Sequence, residues 1–301
     1  MRVAAVDCGT NSVRLLVRDL PGPDLHREMR IVRLGEGVDR TGSLAPQAIE
    51  RTREALASYR STCDELAVER IRMVATSATR DASNRDDFVA MVVATLGVEP
   101  EVASGDEEAG LSFRGATRGL DPADGPFLVM DIGGGSTELV LGTERVEAAR
   151  SVDVGCVRLT ERHLVSDPPT DVEIAAATAD VDAALRSALE VVPAGQAKTA
   201  IGLAGSVTTV AALALGLEAY DPDRIHLSRV ARDDVHRIAT DLLSMTRADR
   251  SRLGVMHPGR VDVIGGGALV LDRAMELLSL QEIVVSESDI LDGIALSLGE
   301  K

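Results

Sequence analysis

Two stretches of this 301-residue chain superpose without a gap, and that repeat restricts the possible folds more than any other feature. The first runs Val6-Asp7-Cys8-Gly9-Thr10-Asn11-Ser12-Val13-Arg14-Leu15-Leu16-Val17. The second runs Met130-Asp131-Ile132-Gly133-Gly134-Gly135-Ser136-Thr137-Glu138-Leu139-Val140-Leu141. With Asp7 laid on Asp131, Gly9 meets Gly133, Ser12 meets Ser136 and Leu15 meets Leu139. Each copy follows a short apolar run and leads into another, the pattern of two buried strands joined by a tight turn. A single Asp-x-Gly-x-x-Ser turn reads equally as a plain hairpin. Two in register predict two related lobes, each giving one turn to a shared cleft.

The residues in the turns carry a chemical meaning. Glycine lets the backbone approach a ligand closely and aim consecutive N–H groups at it, which suits a cluster of anionic oxygens. A run of three, Gly133-Gly134-Gly135, carries an entropic cost that a simple hairpin does not require. The backbone N–H groups from Gly133 through Ser136 to Thr137 are therefore read as phosphate donors. Thr10, Asn11 and Ser12 are their counterparts in the first copy. Asp131 at the strand end is placed to hold a hydrated divalent cation, with Asp7 as its mirror. The competing reading for either is a buried Asp capping a turn.

Composition narrows the partners. Aromatic residues make up 2% of the chain, so stacking of nucleic-acid bases is poorly supported. A formal charge of −16 disfavours non-specific binding to nucleic acid or to an anionic membrane. It also requires that a polyanion meet a local Arg-lined site, and Lys198 and Lys301 are the only lysines, so Arg supplies almost all the positive charge. Cys8, Cys63 and Cys156 form no CxxC pair, which points to a reducing compartment. Cys8 reads as a small buried hydrophobe. The opening apolar run is broken by Asp7, Asn11 and Arg14, unlike a signal peptide, and Ile201–Leu217 is too short and too interrupted for a membrane span. The expectation is a soluble, cytoplasmic protein.

Along the chain, strands are expected at 2–8, 12–20, 27–34, 71–75 and 98–103, with helices at 46–68, from Asn84 to Gly97, and at 106–120. Asn84 with Asp86 and Asp87 resembles a cap with an acidic first turn. Asp121-Pro122-Ala123-Asp124-Gly125-Pro126 is the best domain boundary. Beyond it follow the glycine hairpin, a strand near 146–154, a helix from Pro168-Pro169-Thr170 to about 192, a strand at 199–204 and a helix to 217. Helices near 232–245 and 259–279, a strand at 282–286 and a last helix at 289–299 complete the pattern. Strands first, then alternating α and β, twice over, give an α/β protein of two lobes with mixed sheets. The first lobe is residues 1–121 with the C-terminal helix at about 288–301, and the second is 122–287. Gly265-Gly266-Gly267 lacks the strand and helix context of a dinucleotide loop and reads as close helix packing. Histidines are scattered without metal-ligand spacing.

Three further side chains invite functional readings. Ser104-Gly105 at a strand end followed by Asp106, Glu107 and Glu108 brings carboxylates to the opening of the cleft. A helix's first turn is often acidic simply because the dipole favours it, so both readings of Glu108 stand. Arg14 sits two residues beyond the first turn and Arg80 follows Ala75-Thr76-Ser77-Ala78-Thr79 at a strand end. Each is a candidate phosphate clamp, and a surface ion pair explains either as well.

These motifs carry a resemblance. The paired turns look like the two phosphate loops of the acetate and sugar kinase, heat-shock protein and actin superfamily. The particular wording, DCGTNSVRLL, ATSATRDA, SGDEEAGL and DIGGGSTE, resembles the exopolyphosphatase/guanosine pentaphosphate phosphatase family across nearly the whole chain. The resemblance implies two ribonuclease-H-like (actin-like ATPase) lobes around an interdomain cleft. It implies Glu108 as the residue that activates water, Glu138 as a second acidic participant in metal or water positioning, and Mg2+ or Mn2+ at Asp131. The Arg80 turn matches its pattern. Gly202-Leu203-Ala204-Gly205-Ser206 stands where nucleotide-binding members of the superfamily hold adenosine, with a thinner glycine pattern.

The reading is a metal-dependent exopolyphosphatase that removes orthophosphate from the end of inorganic polyphosphate. Its first rival is the same chemistry on guanosine pentaphosphate or a nucleoside triphosphate. The others are a small-molecule kinase and an actin-like nucleotide-sensing or assembly protein without turnover. A homodimer is expected by analogy with the family; neither nucleic acid nor membrane is an expected partner.

Overall fold

The computed structural model describes residues 1–299. They form two compact units, Met1–Gly115 with the segment from Ile290 onward, and Ala116–Asp289. This division falls near the end of the helix Gly105–Thr117, ahead of the Asp121–Pro126 turn. Positions 300 and 301, assigned from sequence to the C-terminal helix, lie outside the described residues.

The first unit is built on a five-stranded sheet of β1 (Arg2–Cys8), β2 (Ser12–Asp19), β3 (Asp24–Ile31), β4 (Arg70–Ala75) and β5 (Glu101–Val102) in the order β3-β2-β1-β4-β5. β1 and β2 form the expected antiparallel hairpin, and β4 runs parallel to β1. Alternation along a strand sends neighbouring side chains to opposite faces. Ala4, Val6, Val13 and Leu15 accordingly join Leu56, Tyr59, Phe88 and Leu96 under the helices Pro46–Glu65 and Arg85–Leu96. Ala5 and Leu16 face the other way and meet Ile290, Leu291 and Ile294 of the helix Ile290–Ser297. That last helix is fixed by its buried Asp292, which accepts from Arg18 at 2.7 Å and Arg27 at 2.8 Å.

Two local expectations are corrected here. β3 runs earlier than 27–34, because Val32 and Arg33 leave the ladder and donate their N–H groups to the Asn11 carbonyl. Asn84 precedes its helix but does not cap it. Its side chain instead accepts from the Leu44 N–H at 2.8 Å and donates to the Leu44 carbonyl at 3.1 Å, tying two loops together. The other end closes as expected, with Gly97 in the left-handed region at φ 80.

The second unit carries β6 (Phe127–Ile132), β7 (Thr137–Gly142), β8 (Val146–Val152), β9 (Thr199–Leu203), β10 (Arg229–Ala231) and β11 (Glu282–Val285) in the order β10-β11-β9-β6-β7-β8. Read from β8, the run β8-β7-β6-β9-β11 repeats the first sheet. Three antiparallel strands continue into two parallel ones. Two ribonuclease-H-like lobes with mixed sheets are therefore present, as the internal repeat requires. Every residue of β6 and β7 is buried. The helix Asp171–Leu189 opens with a capping box in which Thr170 and Glu173 satisfy each other's backbone donors.

Gly265-Gly266-Gly267 lies inside the helix Ile264–Leu277. A Cβ on Gly267 would stand 2.1 Å from Ser206 Oγ, and one on Gly266 would stand 2.8 Å from Thr160 Oγ1. The glycines are there for close packing, as read from sequence. Among the described residues no helix is long and apolar enough to cross a membrane.

Candidate active site

In the second unit the turn between β6 and β7 is pinned from behind. The Gly133 N–H donates to the Ser136 carbonyl at 3.0 Å and closes the hairpin. The Gly133 carbonyl then accepts from the Cys156 N–H at 3.0 Å, and the Gly134 carbonyl accepts from Val157 at 2.9 Å and Arg158 at 3.1 Å. Those donors are the first three N–H groups of the helix Cys156–His163, which has no side-chain cap. A trans peptide points its N–H opposite its C=O. With the Gly133 and Gly134 carbonyls turned to the helix, the N–H groups of Gly134 and Gly135 face away from it, as anion donors must.

Gly155 makes this approach possible. A Cβ there would lie 2.6 Å from the Gly134 backbone C and O atoms, so no other residue fits without moving the turn. Sequence reading missed Gly155, whose signal is a contact between distant segments. Thr137, expected among the phosphate ligands, donates its hydroxyl to the Val154 carbonyl at 2.6 Å and holds the turn in place.

The first unit repeats the plan with different parts. Gly9 donates to the Ser12 carbonyl at 2.9 Å. The Thr10 carbonyl accepts from Gly35 at 2.8 Å, and the Asn11 carbonyl accepts from Val32 at 3.0 Å and Arg33 at 2.8 Å. The N–H groups of Asn11 and Ser12 thereby point the other way. The Thr10 hydroxyl shares a buried 2.8 Å hydrogen bond with Ser77, which links this turn to the helix Ser77–Asp81.

The carboxylates of the two hairpins have different neighbours. Asp7 and Arg14 stand opposite each other in register, and Arg14 grips Asp7 Oδ2 through Nε at 2.9 Å and Nη2 at 2.7 Å. This engages Asp7, expected as a metal ligand, with Arg14, expected as a phosphate clamp. Asp131 is instead opposite Glu138, and Glu138 is opposite Ser151 on β8. Asp131 is 8% exposed and Glu138 1%. Ser151 Oγ donates to Glu138 Oε1 at 2.6 Å.

Cross-strand neighbours stand about 5 Å apart at Cβ, and two buried carboxylates at that range repel unless a cation or proton intervenes. No group of three or more His, Cys, Asp or Glu is gathered to hold a metal among the described residues. Magnesium bound together with phosphate needs only one or two carboxylates, the rest of its shell being water and substrate oxygen. Asp131 and Glu138 fit such an ion. Asp7 is held by Arg14 across its own hairpin.

Glu107 and Glu108, easily confused in sequence, separate clearly. Glu107 Oε2 accepts from the Ser104 N–H at 2.8 Å and the Ser104 hydroxyl at 2.9 Å. The Ser104 backbone bond, then its hydroxyl, holds the Glu107 carboxyl below the usual range, as in a capping box. Glu108 is buried, and its Oε2 accepts from Arg80 Nη1 at 3.1 Å, while the same nitrogen donates to the Ala103 carbonyl at 2.8 Å. Arg80 is thus set to orient Glu108.

Cys8 directly follows Asp7 on β1, and all three cysteines are free and buried. Burial first, then the adjacent Asp7, pushes the Cys8 thiol far up, which suits packing and not nucleophilic attack. In the Gly202–Ser206 segment, Ala204 takes a left-handed φ of 68, and the Arg260 guanidinium lies over Gly205, where a Cβ would come within 2.1 Å of it.

Comparison with known proteins follows the same lines. The Ppx/GppA phosphatase family model matches residues 17–301. The chain is 53% identical over 313 residues to exopolyphosphatase 2 of Mycobacterium tuberculosis, covering 99% of this chain and 98% of that one. Among solved structures, an exopolyphosphatase-like protein superposes with a TM-score of 0.97 at 43% identity, covering 99% of both chains. The Ppx-GppA enzyme of Aquifex aeolicus superposes with a TM-score of 0.82 at 31% identity, again over 99% of both. On this similarity the chain belongs to the Ppx/GppA phosphatase family.

Proposed function

We propose that the protein is a metal-dependent exopolyphosphatase, hydrolysing the terminal phosphoanhydride bond of inorganic polyphosphate and releasing orthophosphate. The observation that carries this reading is the β6–β7 hairpin. Two buried carboxylates stand opposite each other there, beside a glycine turn whose carbonyls are tied back by a helix. The naming of a relative that shares 53% of its residues as an exopolyphosphatase supports the same substrate class.

The chain's own groups divide the work. In the second unit the N–H groups of Gly134 and Gly135 bind oxygens of the phosphate chain, and in the first those of Asn11 and Ser12 are presented in the same way. Asp131 and Glu138 would hold Mg2+ or Mn2+, which when bound offsets the negative charge of the phosphates. Glu108, oriented by Arg80, takes a proton from the attacking water as its oxygen bonds to the terminal phosphorus. The bridging P–O bond breaks, orthophosphate leaves, and the remaining chain is one unit shorter. Catalysis of phosphoryl transfer is mostly positioning and charge stabilisation, so this short set of residues is sufficient in kind.

The test is phosphate release with Mg2+ from polyphosphates of several lengths, guanosine pentaphosphate and ATP, using wild type and Glu108→Gln. Wild type should release orthophosphate from polyphosphate. The Gln variant should lose about 10²- to 10⁴-fold in turnover while still binding the chain, because it removes a base and almost no volume. Turnover of the nucleotides alone would reassign the substrate. Near-wild-type turnover by Glu108→Gln would remove Glu108 from its role.

A further inference from the structure

The hairpins of the two units can be read strand by strand, and the third strand of each holds the clue. Across β1, β2 and β3 the aligned residues are Asp7, Arg14 and Met29. Across β6, β7 and β8 they are Asp131, Glu138 and Ser151. Where the middle residue is an arginine, already gripping its own carboxylate, the third is a thioether with no donor to give. Where the middle residue is a buried carboxylate, the third is a hydroxyl that donates to it at 2.6 Å.

We propose that Ser151 is a positioning residue for Glu138, holding that carboxylate in the orientation a divalent cation requires. The proposal rests on the hydrolase reading for its purpose and on the β7–β8 register for its geometry. A glutamate side chain turns about three bonds, and a short hydrogen bond from a neighbouring strand removes much of that freedom before the ion arrives. The bond also satisfies one lone pair of a carboxylate that is 1% exposed. Partners of this kind hold metal ligands in place elsewhere, and their loss weakens metal binding by about 10- to 100-fold. β8 is an edge strand and Ser151 is only partly buried, so its hydroxyl can be removed with little disturbance to packing.

The test is Mn2+ binding to the purified protein by calorimetry, with wild type, Ser151→Ala and Ser151→Thr. Ser151→Ala should unfold at a temperature close to wild type and bind Mn2+ about tenfold more weakly. Ser151→Thr, which keeps the hydroxyl, should bind close to wild type. Unchanged Mn2+ affinity in Ser151→Ala overturns the proposal, as does a Thr variant as weak as the Ala variant, or a wild type that takes up no Mn2+. Phosphate release from polyphosphate, measured on the same samples, bears on the hydrolase reading alone. A wild type that binds Mn2+ in the expected order of variants but releases no phosphate refutes the activity and leaves the positioning role intact.

Discussion

The hairpins β1–β2 and β6–β7 share a backbone plan and differ in charge at the strand end. Both close the turn with the same hydrogen bond, Gly9 to Ser12 and Gly133 to Ser136, at 2.9 and 3.0 Å. Both tie back two turn carbonyls with N–H groups from a later segment, those of Thr10 and Asn11 in one and of Gly133 and Gly134 in the other. In the first, however, the carboxylate at the strand end is matched by a guanidinium in the same hairpin. In the second it faces another carboxylate. The first pairing is an ion pair and the second a pair of like charges. The repeat therefore makes the same backbone frame twice with different charges at the strand end, and the proposed cation belongs with the second.

The sharpest way to break that comparison is to neutralise each aspartate in turn. Asp131→Asn should lower turnover by about a thousandfold, since several kcal/mol of charge stabilisation depend on the cation. Asp7→Asn should act mainly on stability, costing roughly 3 kcal/mol by removing the charge that Arg14 grips. The cost stays at the low end of the range because the Arg14 side chain is 21% exposed. Turnover assays beside urea titrations separate the two effects. An Asp7→Asn protein with wild-type stability and no turnover would show that the first hairpin also holds the ion.

A smaller contrast concerns the glycines behind each turn. Gly155→Ala would drive a methyl into the Gly134 backbone, where C and O lie 2.6 Å from the new Cβ. Gly35→Ala would meet the Thr10 side-chain methyl at 2.3 Å, a softer neighbour than a peptide plane. A displacement near 1 Å of a positioning group costs about 100-fold in rate, which is the expected loss for Gly155→Ala. Gly35→Ala should lose less, with the Thr10–Ser77 hydrogen bond as the part disturbed. Equal losses would place the same demand on both turns and weaken the assignment of the metal to one.

Much of this was legible in the chain. The strands flanking each turn, the twofold plan and the packing role of Gly265-Gly266-Gly267 follow from apolar runs and glycine placement, which are local signals. What escaped was written between segments. The helix Cys156–His163 has no capping side chain to announce it, because its first donors are satisfied by carbonyls some 20 residues earlier in the chain. β10 is three residues long, too short for a periodic pattern. Ser151 has meaning only through its register with Glu138, and a register is set by pairing rather than composition. Arg14 lies next to the turn in sequence, where a phosphate clamp and an ion pair read equally well. The fold gives it Asp7, directly across the hairpin.

Glu107→Gln gives the smallest expected effect and discriminates two adjacent carboxylates. Glu107 caps the start of the helix Gly105–Thr117 through Ser104, whereas Glu108 meets Arg80. Removing the cap's charge should cost between a few tenths and about 1 kcal/mol at pH 7 and leave turnover unchanged. The cost should also depend on pH in a fixed direction. Ser104 holds the Glu107 carboxyl below its ordinary value of 4.5, so its stabilisation is complete above that value in the unfolded chain. It fades as pH falls toward the lower folded value and is absent below both. Urea midpoints of wild type and Glu107→Gln should therefore differ at pH 7 and converge in strong acid. A Gln variant that matches wild-type stability at every pH but loses turnover would exchange the roles of Glu107 and Glu108.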